Sequence, residues 1–186
     1  MLAQSRSGRQ AYWAILCGAT GQFVGNYPLW GFHPSWQAAM DSTASADMEI
    51  LLRLFQSRAW YDLVPDQEGA ASFSDAPTVH LTRGVVTGGI GQEYGMDYVS
   101  AARTLDGVAV MAYLPSSRTV TVDMSKTSGN LATVWWFDPR AGNATAVGEF
   151  PTRGPRQFSP PAEGDWVLVI DDAARELPAP GAGSQK

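Results

Sequence analysis

The chain has 186 residues, room for one or two domains of ordinary size, and its 45% hydrophobic and 17% charged content is that of a globular protein at the low-charge end. A net charge of −5, with 13 Lys and Arg scattered rather than striped, argues against a nucleic-acid partner. A single Cys17 rules out an intramolecular disulfide and a cysteine-based metal site, and no stretch approaches the ~18–20 apolar residues of a membrane span. Neither a cofactor nor a membrane partner is expected. The first ten residues lack the apolar core of a signal peptide.

Residues Arg9 to Leu16 carry Tyr12, Trp13, Ile15 and Leu16 and predict a short helix stopped by Gly18. Residues 21–26 suggest a short buried strand, followed by a turn-rich loop holding Tyr27, Trp30, Phe32, His33 and Trp36. The clearest helix runs from about Ser45 to Leu63. Met48, Leu51, Leu52, Phe55, Ala59, Trp60 and Leu63 form one apolar face, Ser45 offers a cap and Pro65 a stop. One preceding helix and strand cannot cover that face. Helix, strand, loop and helix in this order read as the end of an α/β repeat.

Near Pro77 the period changes to two. Strands are predicted at 79–86, 98–105, 108–114, 119–124, 133–137, 144–150 and 166–170, with Asp106-Gly107 as a type I′ hairpin turn. Seven or eight short strands with regular turns imply an antiparallel β-sandwich or barrel able to close its own core. The Pro-, Ala- and Gly-rich end from Ala173 reads as a disordered tail. The expected organisation is α+β overall: an incomplete helical unit over 1–75, a β-sandwich over 76–172 and a tail over 173–186.

Catalytic signals are sparse. Gly88-Gly89-Ile90-Gly91 lacks the Lys-Ser/Thr pair and following helix of a phosphate loop, so a β-loop is the better reading. His33 and His80 lie in different halves without a third zinc ligand, and His80 falls on the wet face of a strand. Asp171-Asp172 reads as a solvated strand end rather than a cation site. No Gly-x-Ser-x-Gly elbow is present, and no carboxylate of the front half follows an apolar strand. The aromatic cluster is the positive signal. Tyr27, Trp30, Phe32 and Trp36 follow the front strand and suit stacking on sugar C–H faces, with His33 beside them; packing over the long helix is an equal reading. In the β-rich half, Trp135 is the candidate for an outward ring, with Trp136 on the opposite face.

Arg9-Gln10-Ala11-Tyr12-Trp13-Ala14-Ile15-Leu16-Cys17-Gly18-Ala19-Thr20-Gly21, with Gly25 and Leu29-Trp30-Gly31, resembles the final repeat of apiosidase-like glycoside hydrolases, family 140 and its relatives. Residues 57–66 resemble that barrel's last helix. Tyr113-Leu114-Pro115, residues 135–142 and 164–169 resemble the family's β-sandwich, which bears a collagen-binding name. The resemblance implies the truncated end of a (β/α)8 barrel followed by an all-β sandwich. It also implies a bacterial, secreted or periplasmic parent enzyme that cleaves complex polysaccharide, such as that of plants, with two carboxylates. Those acids would precede Met1, so the chain alone is expected to be inactive, and the missing barrel portion is an expected partner beside carbohydrate. Carried onto this sequence, the substrate-binding positions are Gln22, Asn26, Tyr27, Trp30 and His33. Gln22 and Asn26 stand where many relatives carry His, and Val24 where Tyr is common, so the sugar is not carried over. A non-catalytic carbohydrate- or collagen-binding module, or a purely structural accessory domain, is the alternative.

Overall fold

The apolar spacing of the first half produces helices that cannot bury themselves, and the alternating second half supplies the surface that buries them. A computed structural model describes residues 6–66, 69–71, 79–81, 84–92 and 95–182. The front segment forms α1 (Arg6–Leu16), the short α2 (Tyr27–Trp30) and α3 (Trp36–Met40), and α4 (Thr43–Gln56). The strands are β1 (Leu63–Pro65), β2 (Gly69–Ala71), β3 (Val79–Leu81), β4 (Val86–Gly88), β5 (Ser100–Thr104), β6 (Ala109–Leu114) and β7 (Val120–Asp123). They continue with β8 (Leu131–Asp138), β9 (Asn143–Pro151), β10 (Pro155–Phe158) and β11 (Trp166–Asp172).

The fold is β-rich, with antiparallel pairing throughout the described sheets. A six-stranded sheet runs β1-β5-β6-β11-β8-β9, and a three-stranded sheet runs β10-β7-β4. Between them lies a core of Val110, Leu114, Val122, Trp136, Leu168, Ile170 and their neighbours. The other face of the larger sheet presents Met111, Tyr113, Phe137, Val167 and Val169, and these pack against Ala11, Tyr12, Ile15 and Leu16 of α1 and Leu51, Leu54 and Phe55 of α4. β6 and β11 are therefore buried on both faces, which explains their continuous apolar runs where a half-wet strand would alternate.

Several elements differ from the sequence expectation. Residues 21–26 form no strand, and Phe23 is fully exposed; no neighbouring strand lies beside them to complete a ladder among the described residues. The long helix starts earlier and ends sooner. Ser42 rather than Ser45 caps α4, accepting from the Ser45 N–H at 3.4 Å. At the other end Ser57 closes the helix by donating to the Leu54 carbonyl, and residues 63–65 then pair with β5. The β5–β6 hairpin has Gly107 at φ 73° while Asp106 keeps a negative φ, so the turn is not type I′. The Pro-rich end folds back: Pro180 and Gly181 are buried, and the Gly181 N–H donates to Ser57 Oγ at 3.2 Å. The seam near Pro77, loop residues Glu93 and Tyr94, and the His80 side chain lie outside the described residues.

Polar ties fix the helices to the sheet. Arg58, just past α4, makes a bidentate pair with Asp171 of β11 (Nε–Oδ1 2.7 Å, Nη2–Oδ2 2.6 Å) and donates further to the Pro178 and Ser57 carbonyls. Both side chains are almost completely buried. Such a pair is costly to break from one side, since the surviving charge is left without a partner in a low-dielectric interior. Trp13 Nε1 donates to the Tyr98 carbonyl at 2.9 Å, and Tyr12 stacks on Tyr113 at 4.9 Å.

Candidate functional site

Chain segment 19–42 differs from everything around it. Most of its residues are exposed, including Tyr27, Trp30 and Phe32, each about 70% accessible. It is nevertheless shaped. Asn26 Nδ2 donates to the Ala39 carbonyl at 2.9 Å and to Ser42 Oγ at 3.1 Å, closing the loop onto the cap of α4. The His33 N–H donates to the Pro28 carbonyl, and the imidazole stacks on Tyr27 with centroids 4.6 Å apart. The Trp30 ring lies over Gly25, where a Cβ would come within 2.9 Å of it, so the ring would have to shift to admit a larger residue. Phe32 meets Trp36 edge-on at 5.2 Å.

Two residues of this segment, Phe32 (φ 49°) and Ser35 (φ 74°), hold left-handed backbone that a non-glycine residue rarely adopts. Each such residue costs on the order of 1 kcal/mol and persists where surrounding structure over-determines it. Next to the segment, a groove of about 340 Å³ opens between α1 and α4, lined by Ile15, Gln22, Met48, Leu52, Phe55 and Trp60. Its wall is mostly apolar. The expected binding residues thus divide: Gln22 borders the groove, Tyr27 and His33 form one stack, Trp30 covers Gly25, and the Asn26 amide is engaged in holding the loop.

The buried carboxylates serve the fold. Asp171 is paired with Arg58; burial, the dominant cause, raises its carboxyl above the ordinary range, and the guanidinium opposes the rise. Asp172 accepts from Ser128 Oγ and the Ala174 N–H, so neither residue is a solvated strand end. Asp66 accepts N–H bonds from Gly84, Val85 and Val86. Asp165 accepts from Tyr113 OH at 3.1 Å, with Arg140 Nε 3.7 Å away, and burial again raises its carboxyl. Arg140 is itself held by both oxygens of Asp138 at 2.8 and 2.9 Å. Sequence reading missed this polar chain because Tyr113, the Asp138–Arg140 pair and Asp165 come from separate segments that meet only through the fold. No group of three or more His, Cys, Asp or Glu side chains that could hold a metal occurs among the described residues.

The Gly-rich loop is backbone engineering. Gly89 and Gly91 adopt φ of 75° and 84°, and a Cβ at either would collide with the Thr119 or Asp97 carbonyl. Trp136 fills the sandwich core as expected. Trp135, the candidate outward ring, is half-buried and packs against the edge of the cluster between sheet and helices. Its ring lies on the sheet face against which α1 and α4 pack, so it is only partly turned to solvent.

Residues 83–171 match the model of a family described as "Putative collagen-binding domain of a collagenase". Among solved structures, one described as a glycoside hydrolase superposes with a TM-score of 0.74 and 24% identity, over 94% of this chain and 38% of its own. Another, a family 5 glycoside hydrolase from Bacteroides vulgatus ATCC 8482, gives a TM-score of 0.70 and 22% identity, over 95% of this chain and 38% of its own. The chain thus spans under two-fifths of the length of these structures. No curated protein matches it in sequence.

Proposed function

We propose that the chain is the accessory portion of a glycoside hydrolase, and that segment 19–42 contributes aromatic walls to a sugar site completed by polypeptide beyond this chain. The observation that carries this reading is the extent of the fold match. It takes in 94–95% of the chain, so the helices and the aromatic segment are shared along with the sandwich, while 38% of each glycoside hydrolase is accounted for. Exposed, shaped rings suit a binding contribution through stacking on sugar C–H faces. Within this reading, α1 to α4 are the final repeat of a (β/α)8 barrel. Their outward groove and the unpaired residues 21–26 face the rest of that barrel, and the apiosidase-like enzymes are the proposed parent family.

A collagen-binding role is suggested by the description of the matched family. It is the weaker reading, since Trp135 is half-buried against the helix-bearing face of the sheet. The test is an activity assay of the chain alone on aryl glycosides and pectic oligosaccharides. These are expected to stay intact, and turnover that co-purifies with the folded chain would overturn the non-catalytic reading.

A further inference from the structure

A second cleft, of about 310 Å³, lies where the chain leaves α4 and meets the β5–β6 turn. Its floor includes Ser57 and the buried Arg58, and Gln56, Tyr61, Asp62 and Asp106 stand around it. Tyr61 is 74% exposed, and its ring is oriented by an edge contact with Trp60 at 6.4 Å. The neighbouring turn is preformed. Asp106 Oδ1 accepts the Val108 N–H at 3.0 Å, and Arg103 Nη1 donates to the Thr104 and Leu105 carbonyls.

Three charged side chains line the cleft, Arg58, Asp62 and Asp106. Arg58 is neutralised by Asp171. The charge of Arg175 acts on Asp106. The Asp106 carboxyl is held below its ordinary value by the Thr104 hydroxyl, then by the Val108 N–H, with a smaller share from Arg175. It therefore stays an ionised acceptor at neutral pH. An anion would meet the carboxylates of Asp62 and Asp106. A neutral polyol gains from both parts of the cleft: its apolar C–H face can lie on Tyr61, and its hydroxyls can donate to carboxylate oxygens and bond the Gln56 amide.

We infer that the cleft bounded by Tyr61, Asp62, Asp106 and Gln56 is a binding site for a single neutral sugar ring, separate from the aromatic segment 19–42. The inference stands on the cleft's own chemistry and holds whether or not the chain completes a barrel. The test is a titration of the whole chain with methyl β-D-glucopyranoside, methyl β-D-xylopyranoside, cellobiose and xylobiose, read from amide shifts in ¹H–¹⁵N correlation spectra. Lysine amide serves as a cationic control.

Saturable shifts are expected at residues 56–62 and 104–108 with at least one of the sugars. Tyr61→Ala should weaken that binding at least about tenfold, the loss of roughly one stacking contact. Asp106→Asn keeps the Oδ1 acceptor for Val108 and should weaken binding without altering the spectrum elsewhere, whereas Trp30→Ala should leave it unchanged. Absence of saturable shifts at these amides with all four sugars would overturn the site. So would tighter binding of lysine amide, or sugar shifts that survive both Tyr61→Ala and Asp106→Asn. Failure of these outcomes leaves the activity assay above unaffected, so the two readings fall separately.

Discussion

The inner and outer sides of the helical layer behave as different materials. On the inner side, α1 and α4 press Tyr12, Leu16, Leu54 and Phe55 onto the six-stranded sheet and are pinned there by Arg58–Asp171. On the outer side, segment 19–42 leaves Phe23, Tyr27, Trp30 and Phe32 in solvent and carries two left-handed non-glycine residues. The same helices thus close one core and border an open one. Stability is concentrated on the first side, and the exposed rings lie on the second.

Breaking the pin should have the largest effect. Arg58→Met leaves Asp171 buried without its partner and is expected to cost about 3–5 kcal/mol in urea unfolding. A loss under 1 kcal/mol would mean that the helices are not held through this pair. Leu54→Ala, at a fully buried position, should cost about 2–5 kcal/mol and lower helical and sheet signals together. Separate transitions for the two signals would split the layer from the sandwich.

Protonation probes the same interface more gently. Burial raises the folded-state carboxyl of Asp165 above its unfolded value, so the folded state holds this proton more tightly. Its stabilising contribution is complete below the unfolded value near pH ~4 and is lost as pH rises through the raised folded value. Asp165→Asn removes that dependence. The stability of the variant relative to the parent should therefore rise with pH over this window, measured by urea midpoints at a series of pH values; a flat difference would contradict the burial assignment. Trp30→Ala, on the open side, should change stability by no more than about 0.5 kcal/mol. A loss comparable to that of Leu54→Ala would make the aromatic segment a core element.

Much of the second half was legible because its chemistry is local. Apolar patterning and the turns between runs located β5 to β9 and β11 to within two residues at either end, and the opposite facing of Trp135 and Trp136 put at least one of them in the core, where Trp136 lies. β10 escaped because Pro155-Arg156-Gln157 is polar and buries Phe158 alone, as an edge strand can. β1 escaped because Leu63 fits the helical spacing of α4, while its actual partner, Thr104, lies about forty residues on. The covered sheet face was illegible for the same reason. Nothing in the spacing of Trp135, Val167 or Tyr113 distinguishes a face turned to solvent from one turned to helices that lie far earlier in the chain. In the candidate site, the ring cluster was visible as composition. The Asn26 tie to Ala39 and Ser42, and the cleft beside Tyr61, depend on how the chain returns on itself.

The claim that the helices and sandwich form one folding unit is tested most directly by native-state hydrogen exchange. Amides in the middle of α4, around Leu51 to Phe55, should open with free energies within about 1 kcal/mol of those in β6 and β11, because one core joins them. If the α4 amides exchange through a much cheaper opening while β6 and β11 stay protected, the helices are a loosely docked layer and the account is wrong.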